Sequence, residues 1–229
     1  VPTDWSIPPD PDLEPLTEIV SVHGSSESAD SPMPIYKAKP GNYVRDALDR
    51  GYRLGFLGSS DGHDGHPGLA GIASGGKSGI AGIWVEGEQP RTRAAIARAL
   101  RARSVYATSG PRIYLRVDLD GLPMGSVLDA PIGSEADGSQ VLSWEIAAET
   151  TLERLDIIRR GATTISIRLE GERDMMGSME MPVLGPGDWL YLRVIQRDGG
   201  AAWSSPFFVL RLQEVDARTE VPAAVPAKR

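Results

Sequence analysis

The stretch Ile113-Tyr-Leu-Arg-Val-Asp-Leu-Asp120 decides the fold, because apolar and polar side chains alternate along all of it. A period of two puts the apolar side chains on one face of a β-strand. Turn signals such as Asp120-Gly121 separate this stretch from its neighbours. The same alternation recurs in three later segments, at residues 142–147, 165–169 and 190–194. The pattern predicts an antiparallel β-sandwich over residues 113–213.

The chain before residue 113 shows a different pattern, in which strand and helix signals alternate. This order is typical of parallel α/β structure. Because a complete barrel usually takes about 250 residues, we expect residues 1–112 to form only part of one. The predicted strands lie at 18–22, 52–58 and 80–85, and apolar side chains at helical spacing predict helices over 43–50 and 90–103. The tail, residues 214–229, is rich in alanine, proline and charge, and we expect it to be flexible.

The composition excludes several classes of protein. The 229 residues, 41% of them hydrophobic, are enough for one large or two small domains. A net charge of −7 argues against a nucleic-acid partner. The sequence has no apolar run near 18 residues, so we expect no membrane span. The absence of cysteine excludes disulfides and thiolate metal sites.

Two of the three histidines lie in one glycine-rich loop, Gly58-Ser-Ser-Asp-Gly-His-Asp-Gly-His66, directly after a predicted buried strand. Asp61 and His63 are two residues apart, so a carboxylate and an imidazole can reach one cation where the strand end curls. Metal ligands commonly lie in loops that a rigid strand positions. The alternative is a polar turn in which glycine, aspartate and histidine serve the backbone.

His23 follows the first predicted strand in the same way that Asp61 follows its own. It is a candidate metal ligand or proton shuttle, and the alternative is a histidine satisfied by local hydrogen bonds. A catalytic zinc or manganese site usually takes three or more protein ligands, and the sequence has no His-x-His. Because the chain begins at Val1 with a proline-rich segment, we expect a C-terminal piece whose remaining ligands come from the upstream half or another chain.

The segment Gly71-Ile-Ala-Ser-Gly-Gly-Lys77-Ser78 fits the phosphate-loop pattern G-x-x-x-x-G-K-[ST]. A phosphate loop needs a helix after it, so that backbone N–H groups and the helix N-terminus face the phosphates. The residues that follow, Gly79-Ile-Ala-Gly-Ile-Trp-Val85, instead have the pattern of a strand. We therefore predict a glycine-rich loop that does not bind ATP or GTP, in which Lys77 is a candidate contact for a substrate anion.

The run from Gly58 to His63 looks like the last Asp-x-His metal-ligand motif of the polymerase and histidinol phosphatase (PHP) metallohydrolases. More closely, the chain resembles the C-terminal half of an uncharacterised bacterial family, domain of unknown function 3604, which is related to them. Four stretches carry this resemblance: 3–5 with 18–27, 55–63 with 65 and 67–68, 103–113, and 191–199 with 202–206. Together these stretches span most of the chain.

The resemblance implies that residues 1–112 are the C-terminal portion of a PHP-like distorted (β/α)7 barrel, with the antiparallel β-sandwich after it. It also implies divalent metal ions, zinc, manganese or iron, with Asp61 and His63 as ligands and His23 as a third candidate. Most PHP enzymes cleave phosphate esters, so the expected substrate is a small phosphoester. The N-terminal His-x-His of the PHP enzymes is absent here, so we expect this chain alone to be incomplete as an enzyme.

The sequence therefore predicts the C-terminal portion of a divalent-metal-dependent, phosphoesterase-like hydrolase. In such an enzyme a metal-activated water acts as the nucleophile. The alternative is a non-catalytic β-sandwich module that binds a carbohydrate or a protein and retains a vestigial metal loop. Measuring the metal content of the protein distinguishes these two interpretations.

Overall fold

A computed structural model describes residues 3–63, 65, 78–86, 91–129, 138–160 and 165–211. Most elements in these ranges are short strands, and the two helices are α1 (Val44–Asp49) and α2 (Arg93–Arg101). Neither helix is long and apolar enough to cross a membrane. The strands are β1 (Leu16–Ser21), β2 (Gly24–Ser25), β3 (Gly55–Gly58), β4 (Ile80–Ile83), β5 (Val105–Thr108), β6 (Tyr114–Leu119), β7 (Leu122–Pro123), β8 (Val127–Leu128), β9 (Ser139–Ala147), β10 (Leu152–Arg159), β11 (Ile165–Arg168), β12 (Asp174–Pro182), β13 (Trp189–Gln196), β14 (Ala201–Ser204) and β15 (Phe207–Val209).

The strands form three sheets. A three-stranded sheet has the order β2-β1-β3, and a four-stranded antiparallel sheet has the order β12-β9-β6-β7. The largest sheet has the order β11-β10-β13-β14-β5-β4. Two further strands belong to it: β15 pairs with β13, and β8 pairs with β15. β4 and β5 pair antiparallel to each other, and β5 pairs antiparallel to β14.

β13 lies at the centre of the molecule, and every one of its residues is buried. Because side chains alternate along a strand, its two faces contribute to two different cores. Leu190, Leu192 and Val194 pack with apolar residues of the four-stranded sheet. Tyr191 and Ile195 pack on the opposite side with apolar residues of β1, β3 and α1. The large sheet is therefore covered on both faces at β13, which is why apolar residues occupy both sides of most of this strand.

Both helices predicted from apolar spacing are confirmed, with shorter bounds. The backbone N–H of Tyr43 donates to the Asp46 carboxylate at 2.8 Å and fixes the start of α1. Thr92 caps α2, since its side-chain oxygen accepts from the Ala95 N–H at 3.2 Å. The buried face of α1 consists of Val44, Ala47 and Leu48, and it anchors the three-stranded sheet to the rest of the molecule.

The fold-class prediction of a PHP-like (β/α)7 barrel portion followed by a β-sandwich is wrong. The described ranges consist mostly of strands in open sheets, with two helices of six and nine residues. β4 does not continue a parallel βα series, because it pairs antiparallel to β5. The sequence signal was misleading because an apolar run of four residues gives no information about the direction of its partner strand.

The predicted divisions at residues 112/113 and 213/214 stay predictions. The second division and the proposed flexible tail, 214–229, lie outside the described residues.

Candidate functional site

The carboxyl ends of β1 and β3 meet at one edge of the three-stranded sheet, because these two strands are parallel neighbours. Val20 lies opposite Gly58, and the N–H of Ser59 continues the pairing by donating to the Val20 carbonyl at 3.1 Å. Loops that follow neighbouring parallel strands emerge side by side, and such edges are where α/β proteins commonly place ligands. The residues that follow these two strands are His23 and Asp61.

His23 and Asp61 are in direct contact. Residues 22 and 23 form a two-residue turn between β1 and β2, since Ser21 pairs with Gly24. The turn presents the imidazole towards the loop after β3, where its Nε2 atom lies 2.9 Å from Oδ2 of Asp61. Their side chains are 40% and 37% exposed, so the contact borders solvent. Two residues 38 positions apart in the sequence thus form one polar pair.

The backbone around Asp61 is arranged for this contact. Asp61 has φ +50, in the left-handed region that aspartate and asparagine tolerate better than most residues. Gly58 lies where there is no space for a side chain, because a Cβ atom there would be 2.6 Å from the Ile80 carbonyl oxygen. The glycine lets β3 pass closely beside the start of β4, and this passage fixes where the Asp61 loop begins.

His63 lies near the pair but does not hydrogen-bond to it. Its Nε2 atom is 3.9 Å from Oδ1 of Asp61, and its side chain is 84% exposed. Within the part of the chain that the structure describes, there is no group of three or more His, Cys, Asp or Glu residues that could hold a metal ion. His66 and Lys77 lie outside the described residues. The metal-ligand role of Asp61, His63 and His23 stays a prediction.

The structure also contains a buried charge cluster that sequence reasoning missed. We call it the Glu27 cluster, and it contains Glu27, Arg45, Asp156, Tyr191, Arg193 and Trp203. The Glu27 carboxylate is fully buried. It accepts hydrogen bonds from Arg45 at 2.9 Å, Tyr191 at 2.5 Å, and Arg193 and Trp203 at 2.8 Å each. Arg193 also donates to Asp156 at 2.8 Å and 3.0 Å. The cluster therefore ties the segment after β2 to β10, β13 and β14.

The cluster keeps Glu27 ionised and Tyr191 protonated. Burial by itself raises the pKa of Glu27, but the guanidinium groups of Arg193 and Arg45 and the Tyr191 and Trp203 hydrogen bonds outweigh it. The pKa of Glu27 consequently lies below its usual range. Burial and the adjacent Glu27 carboxylate raise the pKa of Tyr191 well above its usual range. Tyr191 is thus a stable donor to Glu27.

The signal that could have revealed this cluster is Arg193. It interrupts the apolar run Trp189-Leu-Tyr-Leu-Arg-Val-Ile195, and a charged residue inside a buried strand requires a buried partner. The identity of the partner could not be read from the sequence, because Glu27 lies in a serine-rich segment that resembles a surface loop.

The described residues that follow the phosphate-loop pattern form a strand and not the helix that a phosphate loop needs. β4 begins at Ile80, two residues after Ser78, so the predicted strand in this position is confirmed. Residues 71–77 lie outside the described ranges. The absence of ATP and GTP binding stays a prediction.

Comparison with known proteins gives relatives of undetermined function. Residues 69–118 match the family described as protein of unknown function (DUF3604). An uncharacterized protein of Chlamydia pneumoniae is 29% identical over 218 residues, which is 87% of this chain and 35% of that protein. One of Chlamydia trachomatis serovar D is 26% identical over 219 residues, again 87% of this chain and 35% of the relative. The chain is similar to an uncharacterised bacterial family.

This chain thus spans 35% of the length of these curated relatives. The matched family segment, 69–118, begins after His23 and Asp61, so the exposed pair lies outside it. No solved structure matches the chain.

Proposed function

We propose that the protein is a divalent-metal-dependent hydrolase in which His23 and Asp61, with His63, provide part of a metal site. The observation that supports this most strongly is the 2.9 Å approach of the His23 Nε2 and Asp61 Oδ2 atoms at the ends of two parallel strands. Partly exposed polar groups converge there on a turn and a loop that neighbouring strands position, which is the usual placement of a functional site.

The chemistry of the donor set fits such a metal. Imidazole nitrogen and carboxylate oxygen are ligands for zinc, manganese and iron. With metal–ligand bonds of about 2.0–2.2 Å, two ligand atoms on adjacent corners of one ion lie about 3 Å apart. The contact between His23 and Asp61 has this separation, and the second Asp61 oxygen faces the side of His63.

The set is incomplete as a catalytic site. His23, Asp61 and His63 supply at most three ligands, and His63 is the most distant of them. The curated relatives are nearly three times as long as their match to this chain. We therefore propose that the remaining ligands come from the rest of the natural protein, with the upstream half as the first segment to test.

A divalent ion at this edge would lower the pKa of a bound water to near 7 and provide positive charge beside a substrate oxyanion. His23 and Asp61 would hold the ion through the Nε2 and Oδ2 atoms that face each other, and His63, which is open to solvent, would approach from the other Asp61 oxygen. A phosphoester is the first substrate to test, because the Asp61-x-His63 motif resembles that of phosphoesterases. Fold-level analogy alone would not justify this choice.

The proposal is tested by hydrolysis of 4-nitrophenyl phosphate with the natural protein, at the length at which the cell makes it. We expect activity that depends on added Mn²⁺ or Zn²⁺ and is abolished by a chelator. Asp61→Asn and His63→Ala should lower it by about 10–100-fold or more. Asp174→Asn, the same chemical change at an exposed position on β12, is the matched control. Activity that is insensitive to the chelator, or equal in all variants, would contradict the proposal.

A further inference from the structure

A cavity of about 330 Å³ opens beside the exposed pair. His23 forms part of its wall, so a molecule inside the cavity lies next to the imidazole that contacts Asp61. The other lining residues come from the segment between β2 and α1 and from the N-terminal segment. The volume lies in the range typical of small-molecule sites.

Aromatic and apolar surface makes up much of the cavity wall. The Tyr36 ring is 60% exposed and meets the His23 ring edge to face, with centroids 5.2 Å apart. Ile35, Ala38 and Tyr43 add apolar surface. An exposed aromatic ring in a concave site is suited to stack against a flat apolar group of a ligand.

The charge at the cavity is positive, although the chain as a whole carries −7. Among the described residues, Lys37 and Lys39 line the cavity and no carboxylate does so. Only four of the 24 lysine and arginine residues of the chain are lysines, and two of those four border this cavity. The Lys37 ammonium lies 5.9 Å from the centroid of the Tyr36 ring, which places cation and ring on the same ligand surface. Lysine supplies a compact charge on a flexible stem, which suits an anion that enters and leaves.

We propose that this cavity binds an organic anion that carries an aromatic ring, with the ring against Tyr36 and the anionic group at Lys37 and Lys39. The proposal rests on the proposed hydrolase function and names the substrate class of that same site, because His23 is common to both. A neutral apolar ligand would leave the two ammonium groups without a counter-charge. A small inorganic anion would leave the exposed aromatic ring without a partner.

The test is calorimetric titration of the natural protein with phenyl phosphate and with inorganic phosphate, in the presence of a chelator. We expect phenyl phosphate to bind more tightly than phosphate. Lys37→Gln and Lys39→Gln should each weaken phenyl phosphate binding by roughly tenfold, the size expected for a lost charged hydrogen bond. Tyr36→Ala should remove most of the preference for phenyl phosphate over phosphate. Arg93→Gln, which removes one positive charge from an exposed position on α2 away from the cavity lining, should bind like the wild type.

Equal binding of the two anions, or wild-type binding by both lysine variants, would overturn the inference. Because the titration uses metal-free protein, its outcome separates the two proposals. Ligand binding with the expected variant effects, but without metal-dependent hydrolysis, would contradict the proposed function alone. Metal-dependent hydrolysis without ligand preference would contradict the cavity assignment alone.

Discussion

Two groups of charged residues begin four positions apart in the chain and differ in almost every physical respect. The Glu27 cluster is closed, since the carboxylate of Glu27 is fully buried and accepts four hydrogen bonds from side chains of this chain. The pair of His23 and Asp61 is open, since both side chains are more than a third exposed and share one short contact.

This difference indicates different roles. A buried charge is tolerated only when its partners satisfy it completely, so the Glu27 cluster uses its hydrogen-bonding capacity to join the N-terminal sheet to the large sheet. An exposed pair contributes little to stability, and the hydrogen-bonding capacity that it does not use remains accessible to a ligand. Substitutions in the cluster should therefore destabilise the fold, whereas substitutions in the pair should change what the protein binds.

The largest expected effect is that of Glu27→Gln. The substitution keeps the size of the side chain but leaves the buried guanidinium of Arg193 and the partly buried guanidinium of Arg45 without the Glu27 charge. Removing one partner from a buried ion pair typically costs about 3–5 kcal/mol. Urea unfolding of the variant should show a loss of this size, whereas Glu180→Gln at an exposed β12 position should change the free energy of unfolding by less than about 0.5 kcal/mol. If the two variants were equally stable, the cluster would not be structural.

The second effect is on the acid dependence of stability. Because the folded-state pKa of Glu27 lies below the ordinary value of 4.5, its ionised form stabilises the fold fully above that value. The contribution is lost as the pH falls through the folded pKa. The stability difference between wild type and Glu27→Gln should therefore be constant near neutral pH and shrink below pH 4.5. Unfolding measured in urea at a series of pH values gives this difference, and a gap that widens in acid would have the wrong sign.

An intermediate effect is expected at Ser205, which is fully buried. Its hydroxyl accepts from the Phe56 N–H at 2.9 Å and donates to the Val105 carbonyl at 2.6 Å, so it joins β3 to β5. Ser205→Ala removes the hydroxyl that the Phe56 N–H donates to, whereas the Val105 carbonyl keeps the Ser205 backbone N–H at 3.3 Å. An unsatisfied buried group costs about 1–3 kcal/mol. Thermal unfolding should show the loss. Wild-type stability in this variant would mean that the Ser205 link between β3 and β5 does not contribute to stability.

The smallest effect on stability is expected for Asp61→Asn. Asparagine tolerates the left-handed backbone at this position as well as aspartate does, and an exposed contact of this kind contributes at most about 1 kcal/mol. The free energy of unfolding should thus change by less than this amount. A loss as large as that of Glu27→Gln would mean that the exposed pair, like the buried cluster, is needed for the stability of the fold.

The sequence predicted the elements whose periodicity is clear. The alternation at 113–120 and 190–194 corresponds to β6 and β13, and the apolar stripe at 90–103 corresponds to α2. β10 was missed because it buries Asp156 among apolar residues, and a buried carboxylate reads as an exposed position until its Arg193 partner is known. The direction of neighbouring strands was not predictable from the sequence either, and for this reason the prediction of a barrel was wrong.

The candidate site was predictable only as separate residues. Each of His23 and Asp61 follows a strand signal, but their contact depends on the parallel pairing of β1 with β3. The cavity next to them was missed because Tyr36, Lys37 and Lys39 lie in a segment without periodicity. The concentration of lysines there was the available signal.

If His23 and Asp61 belong to a metal site, as we propose, their substitution should weaken the affinity of the protein for Mn²⁺ or Zn²⁺. Calorimetric titration would compare the natural protein with Asp61→Asn, His23→Ala and the control Asp174→Asn. We expect the metal affinity to be at least about tenfold weaker in the first two variants, with wild-type affinity in the control and a cooperative unfolding transition in all three. Equal metal affinity in all four proteins, or no measurable metal binding in the natural protein, would contradict the claim.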